Sequence, residues 1–299
     1  MPELPEVEAL AADLRERVVG RRIERVDVAA ISALKTFDPP PTALHGREVT
    51  GAGRFGKFLD LIVEDPVAGD LHLVVHLARA GWLHYRDSLP PAPLKPGKGP
   101  IALRVRLDSG GGFDLTEQGT QKRLAAYLVR DPAEVPGVSK LGPDALSSDL
   151  PTFAARLRSR RGQVKGVLTD QEVLAGVGNA YSDEILHRAR LSPLAHTRKL
   201  DDAAMRRLFE ATRSVLVEWT TRLAVEAGDG FPEHVTAFRP QMAVHGKFRE
   251  PCPVCGTAVQ RIVYAENECN YCPGCQTNGV ILADRALSRL LHASFPREA

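Results

Sequence analysis

Met1-Pro2-Glu3-Leu4-Pro5-Glu6-Val7-Glu8 opens a chain of 299 residues and carries two readings at once. If the initiator methionine is removed, Pro2 becomes a free secondary amine with a carboxylate one residue away. Such an amine attacks an electrophilic carbon and loses a proton to give an iminium ion. A free α-amino group titrates near ~7.7–8.0, so a useful fraction is unprotonated at neutral pH. The same residues also open a helix, with proline at its start and acids near its positive end. Val7, Leu10 and Ala11 are spaced for one apolar face, which predicts a helix over residues 1–12. The two readings are compatible.

Downstream the pattern changes to strands. Arg22–Val28, Phe58–Val63, Leu71–His76, Ile101–Leu107 and Phe113–Leu115 are short, apolar or alternating, and bounded by Gly, Pro and Asp. Short strands without long helices between them point to a β-sandwich or barrel. The proline-rich stretch 89–100 reads as a surface loop within that region, and Asp131–Asp144 as a linker. Helical periodicity then covers Pro151–Arg160, Gly162–Thr169, Gly178–Ala189 and Ala203–Glu226. Phe231–Pro240 leads to a short strand and a cysteine segment, with a further helix expected at Asp284–Leu291. The predicted plan is an α+β multidomain chain: an N-terminal β domain over 1–135, a helical domain over 136–237 and a C-terminal metal module over 238–299.

Composition narrows the class without naming a partner. A hydrophobic content of 43% fits an ordinary globular core. No apolar run reaches the ~20 residues that span a bilayer. The acidic N-terminus lacks a secretory signal, so an intracellular, cytoplasmic protein is expected. The net charge of +2 is uninformative, because 39 basic and 37 acidic residues nearly cancel. The basic run Arg156–Arg161 with Lys165 suits a solvated helix face or phosphate contact.

All five cysteines fall between positions 252 and 275. Cys252-Pro-Val-Cys255 and Cys272-Pro-Gly-Cys275 form two knuckles with the spacing of a four-thiolate zinc ribbon. Four thiolates complete a tetrahedron and leave no position for a catalytic water, so one structural Zn2+ is expected. Cys269 is read as a bystander.

With these features in place, the chain resembles the formamidopyrimidine-DNA glycosylase and endonuclease VIII family of base-excision repair enzymes. The opening octapeptide matches that family's first motif. Lys165-Gly-Val-Leu-Thr-Asp-Gln171 followed by Ala175-Gly-Val-Gly-Asn-Ala-Tyr181 looks like its helix–two-turn–helix DNA-binding element. The resemblance implies an N-terminal β-sandwich catalytic domain, a central helix–two-turn–helix domain and a C-terminal zinc-ribbon hairpin. It implies a bifunctional glycosylase and apurinic/apyrimidinic (AP) lyase, acting as a monomer on double-stranded DNA with damaged bases or abasic sites. Pro2 would be the nucleophile, Glu3 the acid/base at the sugar, Lys57 an electrostatic contact and Glu6 an orienting acid. Alone, Lys57 would read as a surface lysine before a strand. Asn179 and Gly178 would meet phosphate at a helix start, with the Asn179 side chain as a cap; a plain capping turn looks the same.

The chain departs from the family pattern in its gap-filling residues, on its ribbon and in one further loop. Arg79 stands where a methionine is usual in the gap left by the flipped nucleotide, and Thr116–Arg123 replaces the usual gap-filling loop. Arg79, Gln121 and Lys122 are the candidate replacements. On the ribbon, Asn267 stands where an arginine grips phosphate, with Arg261 or Lys247 as substitutes. The loop 227–233 also differs from the family's lesion-covering segment. Oxidised purines such as 8-oxoguanine and formamidopyrimidine are favoured; oxidised pyrimidines, bulkier lesions or a weakly catalytic damaged-DNA binder are the alternatives.

Overall fold

The computed structural model describes residues 1–97, 99–118, 121–228, 230–232, 239–264 and 267–282. By compactness the chain divides into two units, Met1–Asp144 with Leu216–Ala237, and Ala145–Val215 with Phe238–Ala299.

The first unit begins with α1 (Leu4–Val18), longer than the predicted 1–12. Pro5 sits in its first turn, where the missing N–H costs nothing, and Arg15 and Arg17 complement the negative end. Val7, Leu10, Ala11, Leu14 and Val18 are all buried on one face. Eight strands follow: β1 (Ile23–Val28), β2 (Val49–Phe55), β3 (Phe58–Val63), β4 (Leu71–His76), β5 (Gly81–Arg86), β6 (Ile101–Leu107), β7 (Gly112–Glu117) and β8 (Ala125–Val129). They form two antiparallel four-stranded sheets, ordered β1-β6-β7-β5 and β2-β3-β4-β8. One core, with Leu59, Leu61, Val75, Trp82, Val105 and Phe113 at its centre, fills the sandwich and receives α1. The buried pair Arg104–Asp114 sits on facing positions of β6 and β7, at 2.6 and 2.8 Å. Neutralising each charge in place is what lets both be buried.

Strands β2, β5 and β8 have weak sequence signals. β2 carries two glycines and β8 begins with two alanines, both poor strand formers. All three are edge strands, and the single partner strand each has, β3, β7 and β4 respectively, decides them.

The second unit contains α2 (Leu150–Ser159), α3 (Val164–Leu168), α4 (Asn179–Arg188) and the first part of α5 (Asp202–Ala227). These lie within two residues of the helical stretches expected from periodicity. Asp149 caps α2 by accepting the Thr152 N–H at 2.9 Å. Phe153 of α2 meets Phe209 of α5 edge-on, with centroids 5.4 Å apart. The hairpin β9 (Gln260–Tyr264) and β10 (Asn267–Tyr271) and the short α6 (Pro273–Gln276) complete the unit. The cysteine module is thus grouped with the helices in one compact unit, and Phe231–Pro240 is described only at its ends. The expected helix at Asp284–Leu291 lies outside the described residues.

Candidate active site and metal centre

The chain start is a crowded, partly desolvated place. Pro2, Glu3, Glu6 and Lys57 are all buried. The Glu6 carboxylate accepts the Glu3 backbone N–H at 2.9 Å, completing a capping box at the mouth of α1. The octapeptide therefore starts a helix and fixes the geometry around Pro2 with the same bonds. Glu6 holds the Glu3 backbone.

Lys57 reaches this place from a tight hairpin. Phe55 and Phe58 pair across β2 and β3, leaving Gly56-Lys57 as a two-residue turn with φ +53° at Gly56. Glycine at the first central position suits a type II′ turn, whose twist matches the strands. Burial pulls the Lys57 pKa down, while Glu3 and then Glu6 pull it back up. The Met1 amino group is likewise lowered by burial; Glu3 and Glu6 oppose this, and Lys57 and Arg79 reinforce it. His76, packed on Phe58 with centroids 4.7 Å apart, is pushed down to about 4 by burial and by Lys57. It is neutral at physiological pH, so it adds no positive charge beside Lys57.

Arg54 locks the hairpin. Its guanidinium donates to Glu8 of α1 at 2.6 Å and to both oxygens of Asp144. This buried fork ties β2, α1 and the end of the linker together three residues before Lys57. Sequence reading missed Arg54, because its partners lie 46 residues before and 90 residues after it.

Arg79 is exposed in the turn between β4 and β5. That turn needs Gly81: a Cβ there would lie 2.1 Å from the Leu77 carbonyl oxygen. Gln121 and Lys122 are exposed on the loop between β7 and β8. Buried Glu117 organises this loop by accepting the Arg123 and Leu124 N–H groups at 2.7 and 3.0 Å. The Lys122 ammonium donates to the Glu117 carbonyl.

In the second unit, α4 gathers the other expected residues. Gly178, in an extended conformation, occupies the N-cap position, and Asn179 is the first helical residue. The Asn179 side chain is therefore not the cap; its amide donates to the Glu268 carbonyl on β10 at 3.0 Å. Lys165 binds the Asn179 carbonyl at 3.3 Å and the buried Asp183 carboxylate. Asp183 also meets His245 Nδ1 at 2.8 Å and accepts the Asn270 N–H at 3.1 Å. Gln171 stitches the turn between α3 and α4, donating to the Thr169 and Val177 carbonyls and accepting the Gly176 N–H. Gly176 sits at φ +106°, which only glycine adopts without strain. Arg261 on β9 lies over Phe248, 4.4 Å from the ring centre, and pairs with Glu268 at 3.2 Å. Asn267 opens β10 opposite Tyr264, and Lys247 pairs with Glu250 at 3.0 Å.

The cysteines converge as their spacing requires. Cys252 and Cys275 Sγ are 3.9 Å apart, and Cys255 and Cys272 Sγ 3.4 Å. A tetrahedron of thiolates ~2.3 Å from zinc has edges of about 3.8 Å. The donor set thus fits a metal ion. Gly274 is required here, since a Cβ would lie 2.6 Å from Thr257 Oγ1 and 3.0 Å from Cys255 Sγ. A histidine that sequence reading missed joins the group. His187 of α4 has its ligand atom within 4.8 Å of those of Cys252, Cys272 and Cys275, and its Nε2 is 3.2 Å from Cys252 Sγ. Cys269 packs instead with Ile262 and Tyr271, and burial pushes its thiol up to about 12. It stays a protonated core thiol.

Comparison with known proteins follows the same outline. The formamidopyrimidine-DNA glycosylase N-terminal domain matches residues 1–124, and the formamidopyrimidine-DNA glycosylase H2TH domain matches residues 141–230. The formamidopyrimidine-DNA glycosylase of Thermus thermophilus is 35% identical over 294 residues, 93% of this chain and 100% of the relative. The structure of wild-type Lactococcus lactis Fpg (MutM) with DNA containing N7-benzyl-Fapy-dG superposes with a TM-score of 0.79 at 26% identity, covering 92% and 100% of the two chains. The same Lactococcus lactis protein with DNA containing an oxidised pyrimidine gives 0.77 at 26% identity, over the same shares.

Proposed function

Because this chain belongs to the formamidopyrimidine-DNA glycosylase family, we propose that it excises oxidised bases from duplex DNA through Pro2 and then cleaves the strand as an AP lyase. The target nucleotide must leave the base stack for its sugar to be reached. The Pro2 lone pair attacks C1′, and the C1′–base bond breaks with the base leaving protonated. The proton that the nitrogen gives up goes to the departing base, and Glu3 delivers another to the sugar ring oxygen as the ring opens and the iminium forms. That cation withdraws electrons, so loss of the C2′ proton expels the 3′ phosphate. Loss of the C4′ proton then expels the 5′ phosphate. Lys57 supplies positive charge toward phosphate and nucleotide, and Glu6 keeps Glu3 in place.

The observation that carries this reading is the shared environment of the chain start: Glu3, Glu6, Lys57 and Arg79 all act electrostatically on the Met1 amine, which burial lowers, and removal of Met1 would leave the Pro2 amine at the same buried chain start. An attacking amine must be unprotonated, so the environment suits the chemistry. Oxidised purines such as 8-oxoguanine and formamidopyrimidine are the favoured substrates. A second reading, oxidised pyrimidines or bulkier lesions, is favoured by the exposed Arg79 in the turn where the family carries methionine. A binder without catalysis would have no use for Pro2, Glu3 and Lys57 together. In the second unit, the N-terminal end of α4 at Gly178 and Asn179 is the phosphate-facing element, with Lys165 bound to the Asn179 carbonyl and Arg261 on β9 of the same unit. Cys252, Cys255, Cys272 and Cys275 hold one structural Zn2+, whose binding energy is folding energy for the hairpin.

Borohydride trapping tests the proposal. DNA duplexes with 8-oxoguanine, formamidopyrimidine, an oxidised pyrimidine or an abasic site are incubated with the protein and reduced. A covalent adduct is expected with the wild type and absent in Pro2→Gly, and the lesion with the fastest adduct formation identifies the substrate class. No adduct even on abasic DNA refutes the enzyme reading.

A further inference from the structure

Five donors, not four, surround the metal centre, and they are not equivalent. His187 is buried at the end of α4, with Nε2 3.2 Å from Cys252 Sγ. Together with Cys252, Cys272 and Cys275 it forms a set of ligand atoms that all lie within 4.8 Å of one another. Cys255 stands outside that set. It is the exposed cysteine of the site, and its Sγ is turned to Thr257 Oγ1 at 3.3 Å as well as to Cys272 Sγ at 3.4 Å. Cys252 Sγ accepts the Val254 N–H at 3.4 Å, and Cys272 Sγ accepts the Cys275 N–H at 3.5 Å. Three thiolates and one imidazole are also a complete donor set for a tetrahedral structural zinc.

We propose that His187 is a reserve ligand that takes the place of Cys255, so that the centre passes between a tetrathiolate and a Cys3His form without releasing its metal. The inference rests on the zinc reading given above. In the exchange the metal–sulfur bond to Cys255 breaks and the departing thiolate takes a proton from water. The Nε2 lone pair of an imidazole carrying its proton on Nδ1 makes the new bond. Cys255 is the ligand that leaves because water, competing metals and thiol reagents reach it first. His187 is the ligand that arrives because α4 already holds it against Cys252.

Cobalt substitution and zinc X-ray absorption distinguish the outcomes. Wild-type protein loaded with Co2+ is expected to show tetrathiolate absorption. Cys255→Ala is expected to retain one Co2+, with thiolate charge-transfer intensity reduced as three sulfurs to four. With zinc, the same variant is expected to show one nitrogen at ~2.0–2.1 Å in place of a sulfur at ~2.3 Å. This last measurement reads His187 in a protein that still contains it, so it does not depend on a His187 variant folding. Cys252→Ala, and Cys255→Ala combined with His187→Ala, are expected to lose the metal. The proposal is overturned if Cys255→Ala loses metal as completely as Cys252→Ala, or keeps it equally well without His187. A wild-type protein that takes up no stoichiometric metal overturns the zinc reading itself, and does so before any substitution is made.

Discussion

Replacing Glu184 should loosen the segment that leads into the cysteine module, by an amount set by its hydrogen bonds. Glu184 is buried on α4, and its carboxylate takes three backbone N–H groups from the chain at 243–245. Oε1 accepts from Val244 and His245, each at 2.9 Å, and Oε2 accepts from Ala243 at 2.8 Å. Burial pushes its pKa up, and the three amides pull it back. Hydrogen bonds to a charged acceptor are worth about 1.5–3 kcal/mol each, and orphaned buried donors cost a comparable amount. Glu184→Ala removes all three acceptor contacts, and with partial relaxation the loss should be about 3–5 kcal/mol. Glu184→Gln keeps an oxygen at the Oε1 position, saving two bonds, but turns an NH2 toward the Ala243 N–H; its loss should be about 1–2 kcal/mol. Amide hydrogen exchange at Ala243, Val244 and His245 measures this directly. Protection should fall about a hundredfold or more in Glu184→Ala and roughly tenfold in Glu184→Gln, because ~1.4 kcal/mol is a factor of ten. Equal exchange in the two variants, or less than a tenfold change in Glu184→Ala, would refute the idea that this carboxylate straps the segment to the helix.

Other perturbations probe the first unit. His76 has a folded pKa of about 4, below its ordinary 6.5, so the unfolded chain binds the extra proton first. Stability should therefore be lost as pH falls from 6.5 toward 4; His76→Gln should flatten that part of the urea-midpoint profile, and parallel profiles would count against it. Arg54→Ala leaves the partly exposed carboxylates of Glu8 and Asp144 facing each other without their shared fork. A loss of about 1–3 kcal/mol is expected by chemical denaturation. Arg54→Lys should recover little of it, because an ammonium lacks the planar fork.

Much of this protein was legible in the order of its residues because the relevant signals are local. The octapeptide carries its own capping box, since Glu3 and Glu6 are one helical turn apart and close on each other without help from the rest of the chain. The four helical stretches show the 3.6-residue period that burial of one face imposes. Cysteine pairs three positions apart are a local signal, so the clustering of the thiols was readable from spacing. Strands such as β2 and β8 were not, because glycine and alanine have little strand preference and acquire it only from the one neighbour each pairs with at the edge of the sheet.

What tertiary structure decided are the contacts with no fixed spacing. Asn179 was expected to cap its own helix; folding gives the cap to Gly178 and turns the asparagine to a hairpin 89 residues away. Arg54 finds carboxylates on a helix before it and a linker after it, and His187 meets a thiol 65 residues downstream. Each is a polar group taken at least partly out of water, and such a group is tolerated only where the fold brings it a partner. Pro2, Lys57 and the four thiols were written in the chain; how they are gripped depends on which distant residues are driven inside with them.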